Sequence, residues 1–166
     1  MNPGKSYLIV KEQCKEKAIK LFENSRIKIT TEGHRHLGSV IGSRQLSENY
    51  IGLLVSRWCE EITELSLIAK TQPQAAYAAF TAGYRHKFTF FMRTIKNIKQ
   101  FLTPVEKVIK DKFIPALFND SQISQELRKL LSLPCKFGGM GIINPVELAD
   151  EEYNNSRQLT TKLTNS

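Results

Sequence analysis

The run Gly33-His34-Arg35-His36-Leu37-Gly38-Ser39-Val40-Ile41-Gly42 constrains the fold more than any other stretch of the chain. It joins glycines, a basic and His-rich turn, and a short apolar strand. Glycine has no Cβ, so backbone of this kind approaches a neighbouring chain, a phosphodiester included, more closely than other residues allow. Just before it, Ile27-Lys28-Ile29-Thr30-Thr31 alternates apolar and polar, as a half-buried strand does. Glu32-Gly33 is a turn signal and Leu37 to Ile41 a second strand. Together they predict a β-hairpin across residues 26–42.

After Gly42-Ser43 the period changes. Tyr50, Leu54, Trp58, Ile62, Leu65 and Ala69 recur at helical spacing, with Ser47 as the predicted N-cap. Pro73 separates this helix from a second one over about residues 74–94, where Ala75, Ala76, Ala78 and Ala79 favour close helix packing and Gly83 weakens or bends the rod. Thr103-Pro104-Val105-Glu106 reads as a capping box with Pro at the first helical position, and Pro115 as the stop of that helix. Ser124 opens a short helix carrying Leu127, Leu130 and Leu131, and Asn144-Pro145-Val146-Glu147 opens the last one, towards Leu159. Before the hairpin, Tyr7-Leu8-Ile9-Val10 reads as a strand and residues 12–24 as a helix. Strands and helices in blocks indicate an α+β class, mostly α: a small N-terminal β part over residues 1–44, then a helical part over 45–166.

Apolar residues make up 41% of the 166, enough for a packed core. The formal net charge is +8, which favours an anionic partner. Cys14, Cys59 and Cys135 are scattered, with no CxxC, so the sequence supports neither a disulfide framework nor a zinc ribbon, and a reducing intracellular setting, nuclear or cytoplasmic, is the expectation. No signal peptide and no membrane span is read, and no cofactor is expected.

Gly4-Lys5-Ser6 resembles the end of a phosphate-binding loop, but a P-loop needs a preceding strand and a following helix, and here a strand follows. His34 and His36 lie two apart on one strand face, whereas zinc needs three or four ligands and His86 sits in another element. The acidic pairs Glu60-Glu61 and Asp150-Glu151-Glu152 read as solvated helix faces rather than a Mg²⁺ site. No complete active site is visible. The most cationic stretch interleaves Arg85, Lys87, Arg93, Lys96 and Lys99 with Tyr84, Phe88, Phe90 and Phe91. At helical spacing, Tyr84, Phe88 and Phe91 form a core stripe. The cations remain candidates for contacts with nucleic-acid phosphates.

These residues resemble, in order, three motifs of reverse transcriptases from eukaryotic retrotransposons. Asn2-Pro3-Gly4-Lys5-Ser6 with Tyr7-Leu8-Ile9-Val10 is similar to the motif after the catalytic Asp-Asp hairpin. His36-Leu37-Gly38-Ser39-Val40-Ile41 is similar to the primer grip, with His36 where an aromatic residue is usual. Leu133-Pro134 through Gly138-Gly139-Met140-Gly141-Ile142 resembles the Leu-Pro … Gly-Gly-Leu-Gly element that follows the thumb, with Met140 in place of Leu. The resemblance implies a partial palm, a primer grip at Arg35, His36, Leu37 and Gly38, a post-catalytic Lys5, and a helical thumb. The family's metal-binding aspartates precede these motifs, so the expectation is a non-catalytic piece of an RNA-directed DNA polymerase that holds an RNA–DNA or DNA duplex without reading its sequence. Two alternatives stand beside it. One is a domesticated helical module that binds a protein through the exposed hairpin edge, or the missing palm and fingers there. The other is a nucleic-acid-binding module with a cellular role.

Overall fold

The computed structural model describes residues 5–119 and 122–164, so Asn2, Pro3 and Gly4 of the first motif lie outside the described residues. The architecture is α+β and mostly helical. The chain divides into two compact units, Met1–Ile51 and Gly52–Ser166, later than the boundary at residues 44 and 45 that the change of period suggests. The first turns of the long helix fall in the unit of the hairpin, where Tyr50 donates its hydroxyl to the Gly38 carbonyl, at 2.8 Å.

In the first unit, β1 (Tyr7–Ile9) pairs in parallel with β2 (Lys28–Thr30), placing Tyr7 opposite Lys28 and Ile9 opposite Thr30. Parallel strands need a crossover, and α1 (Lys15–Leu21) supplies it, led in by a short 3₁₀ turn at Glu12–Cys14. The hairpin is real but shifted. It joins β3 (Gly33–His36) to β4 (Ser39–Gly42), with Leu37-Gly38 as the turn. The strand predicted over Ile27–Thr31 pairs with β1 instead, and Glu32-Gly33 is not the hairpin turn.

Sterics explain the shift. Gly33 and Gly42 face each other across the ladder, and a Cβ on Gly33 would lie 2.3 Å from the Ile41 carbonyl oxygen. Leu37 and Gly38 have φ of +47° and +83°, the two positive values a tight type I′ hairpin turn requires. For Leu37 that geometry costs about 1–2 kcal/mol.

The helix α2 (Arg44–Ala69) starts earlier than predicted. Ser43, not Ser47, is its cap: the Ser43 Oγ accepts from the Leu46 amide at 3.2 Å, and Ser47 lies inside the first turns.

The second unit is helical. The predicted helix over residues 74–94 is α3 (Pro73–Ala79) and α4 (Arg85–Thr94), with a π turn at Phe80–Tyr84 that holds Gly83. A second π turn, Ile109–Phe113, joins α5 (Thr103–Val108) to α6 (Ile114–Phe118). Pro115 therefore sits inside a helix rather than ending it. Its missing N–H falls where the ladder is already interrupted, since the Ile114 amide bonds to the Ile109 carbonyl. Thr103 is the first helical residue rather than the cap: the Glu106 amide bonds to the Leu102 carbonyl at 3.0 Å, and the Glu106 side chain pairs with Arg128 instead of closing a capping box.

The caps of α7 (Gln125–Ser132) and α8 (Pro145–Thr164) are as predicted. Ser124 Oγ accepts from the Leu127 amide, and Asn144 Oδ1 from the Val146 and Glu147 amides. The core gathers Trp58, Phe80, Phe88, Met92, Phe113 and Ile142 among its buried side chains. Trp58 packs edge-on against Phe88 at 5.2 Å, and Phe80 stacks on Phe113 at 4.7 Å.

Candidate nucleic-acid interface

Strand alternation splits the side chains of the hairpin between its two faces. His34 and His36 share one face and Arg35 takes the other. The His34 ring lies flat on Tyr7, with centroids 3.5 Å apart and planes 12° from parallel, and the Lys28 ammonium is 5.6 Å from the same Tyr7 ring. That stack occupies His34, and among the described residues no group of three potential metal ligands comes together. The Arg35 guanidinium lies over the Tyr50 ring at 5.6 Å. Arg35, His36 and Leu37 are all exposed at the tip, Leu37 at 84%. Lys5 is exposed just ahead of β1.

The tip is thus an exposed, basic turn. Its turn residues are held from below by the bond from Tyr50 to the Gly38 carbonyl. Tyr50→Phe removes that bond and is expected to destabilise the hairpin by about 1 kcal/mol. Faster amide exchange in residues 33–42, with the second unit unchanged, is the measurement that checks it.

The cations of the second unit are not a free stripe. Lys87 pairs with Glu61 at 3.1 Å, Arg93 with Glu152 at 2.7 Å, and Lys99 with Asp150 at 3.2 Å. Glu61, Asp150 and Glu152, read from the sequence as parts of solvated faces, are these partners, while Glu60 and Glu151 form no ion pair among the described residues. The pairs are exposed, so each is worth well under about 1 kcal/mol and yields readily to a competing phosphate. Arg85 and Lys96 form no ion pair among the described residues, and Arg85 Nη1 lies 3.7 Å from where a Cβ on Gly141 would stand. The rings behave as the core-stripe reading predicts. Phe88 is buried, Tyr84 and Phe91 are half-buried, and Phe90 is exposed.

Arg128 is the residue that sequence reasoning missed. It is only 4% exposed and stands one helical turn before Leu131 on the buried face of α7. Its Nε and Nη2 donate to the two oxygens of Glu106, both at 2.7 Å, and its Nη1 and Nη2 donate to the carbonyls of Ile142 and Ile143. The spacing of Arg128 to Leu131 on an apolar face is the one signal that pointed to it. Burial pushes the Glu106 carboxyl above its ordinary value, outweighing the hydrogen bonds and charge of Arg128.

Arg128 thereby clasps the Leu133–Ile142 element from beneath. Within that element Gly138 and Gly141 have φ of +79° and +64°. A Cβ on Gly139 would lie 2.1 Å from the Leu133 carbonyl oxygen. The amides of Gly138, Gly139, Met140, Gly141 and Ile142 all bond to carbonyls between Leu131 and Cys135, and Tyr77 donates to the Met140 carbonyl. With its amides spent internally, this glycine-rich run is a structural clasp and offers no cradle of N–H groups to a phosphate.

No helix among the described residues is long and apolar enough to cross a membrane. Set against known proteins, the chain matches no family model, no curated protein and no solved structure.

Proposed function

We propose that this chain holds primer–template nucleic acid by its sugar–phosphate backbone, as the primer-grip and thumb portion of a retrotransposon-type reverse transcriptase, and performs no polymerase chemistry itself. The observation that carries the reading is the hairpin tip: Arg35, His36 and Leu37 stand exposed around a two-residue turn whose carbonyl is anchored by Tyr50. The order of elements supports it. A parallel strand pair with a helical crossover, a tight hairpin and then long helices follow one another as the resembled motifs do. Lys5, Arg85 and Lys96 add cations that no carboxylate engages among the described residues, while Lys87, Arg93 and Lys99 are available only by exchanging partners.

Contacts of this kind position a duplex and carry no sequence information. Fluorescence anisotropy with an RNA–DNA hybrid is expected to give a log K that falls by about 0.9 per contacted phosphate against log salt, as on B-like duplexes. Arg35→Ala with Lys96→Ala should weaken binding equally for unrelated sequences. Absence of binding at low salt, or a strong sequence preference, overturns the reading.

One set of observations favours a second reading, a protein-interaction module. The first unit buries few apolar side chains and leaves Ile19, Leu21 and Ile41 exposed, Leu21 at 80%. A chain that fails to bind nucleic acid but captures a protein through these residues would support that reading.

A further inference from the structure

A cleft of about 620 Å³ lies in the second unit between the C-terminal turns of α2 and the helix through Asp111 to Asn119. Its size falls within the range of about 300–1,000 Å³ typical of small-ligand sites. Two lysines, Lys70 and Lys112, line it with Thr63 and Asn119, and Leu67 and Pro115 supply apolar wall.

Among the described residues, two lysines without an ion pair line this one concavity, as Arg85 and Lys96 stand without one elsewhere in the unit. Lys87, Arg93, Lys99 and Arg128 of the same unit each hold a carboxylate. Among the described residues neither Lys70 nor Lys112 does so. The Lys112 ammonium instead donates to the Thr63 Oγ1 at 3.3 Å, although Asp111 is its neighbour in sequence and also lines the cleft. Thr63 has already spent its own proton on the Cys59 carbonyl, at 2.7 Å, so its oxygen is a pure acceptor that orients the lysine. Ser66 is likewise committed, donating to the Ile62 carbonyl. What remains for a ligand is ammonium hydrogens on two flexible stems, facing one carboxylate. A compact ammonium is a point-charge binder of phosphate. The apolar wall suits the carbon skeleton to which a phosphate is attached.

We propose that this cleft is a phosphate-binding site, in which Lys70 and Lys112 hold the anion and Leu67 and Pro115 contact the group that carries it. The proposal is independent of the hairpin reading, since it involves none of the hairpin residues. The phosphate belongs either to a free phosphomonoester or to the phosphodiester of a nucleic-acid strand.

The test uses the full chain, with titration calorimetry against three probes: inorganic phosphate, adenosine monophosphate, and the dinucleotide thymidylyl-thymidine. Saturable binding of at least one probe is expected, weakened about tenfold or more in Lys70→Ala with Lys112→Ala. Lys129→Ala, an exposed change on α7, should bind as the unaltered chain does, and circular dichroism establishes that each variant is folded. Tighter binding of the monophosphate identifies a phosphomonoester site, and tighter binding of the dinucleotide a strand-backbone site. No saturable binding of any probe up to about 10 mM, a range that would reveal even very weak sites, overturns the proposal. Equal affinity in the double variant overturns it as well.

Discussion

Replacing Arg128 by alanine is expected to destabilise the second unit by about 3–5 kcal/mol, the cost of leaving a buried charge without its partner. The change orphans the Glu106 carboxylate and the carbonyls of Ile142 and Ile143 at once. For a domain of this size it should lower the melting temperature by roughly 10–20 °C. Arg128→Met combined with Glu106→Leu separates the two contributions. It removes both charges and leaves only the two unpaired carbonyls, about 1–3 kcal/mol for each that finds no other partner. Burial already raises the Glu106 carboxyl in spite of its arginine, so the charged pair should bring little net stability, and the double variant should be more stable than Arg128→Ala. Thermal melts of the three chains give the comparison. A double variant as unstable as Arg128→Ala would mean that the carbonyls, not the charge, dominate.

The second large effect is expected at Gly42. Gly42→Ala would place a Cβ 2.2 Å from the Glu32 carbonyl oxygen and 2.4 Å from the Gly33 Cα, at a φ of +151°. Steric overlap and backbone strain together amount to about 3 kcal/mol. A two-stranded ribbon is marginal by itself and lacks that reserve. The expected outcome is loss of the cross-strand contacts between Arg35 and Val40 in NMR spectra, with the second unit intact. Salt-sensitive binding to a hybrid should fall with it, because the tip residues lose their support. A hairpin that keeps its slow-exchanging amides in this variant would contradict the close packing of the two glycines.

The pattern of what could be read from the sequence follows the range of each interaction. Ser124 and Asn144 were legible as caps because a cap is settled within three residues. The core stripe of Tyr84, Phe88 and Phe91 was legible from periodicity, although only Phe88 is fully buried and the other two are half-buried. Ser43 and Ser47 are a helical turn apart and fit the cap pattern equally, so only the path of the preceding strand decides between them. The strand at Gly33–His36 was hidden by its polar side chains, and its neighbour Lys28–Thr30 was claimed by a parallel partner 21 residues earlier in the chain. Long-range pairing also undid the capping box: Glu106 turns to Arg128 instead of to its own helix end. The cations over residues 85–99 looked free because their carboxylates come from Glu61, Asp150 and Glu152, in other helices. In the candidate interface the tip residues were legible as a group, and the tyrosine that anchors them was not.

The π turn at Phe80–Tyr84 has a consequence for how such a chain tolerates changes in length. A π turn stores one surplus residue as a local bulge, so the helical faces on either side stay in phase. Loss of one residue here, at Gly83 where the surface is open, would let the bulge relax into ordinary α-helix and keep Phe88 and Met92 pointing inward. The same loss at Thr89, inside α4, would turn Met92 by about 100° away from the core. Related chains should therefore gain or lose single residues at the bulge, while the ten positions of α4 keep a fixed count.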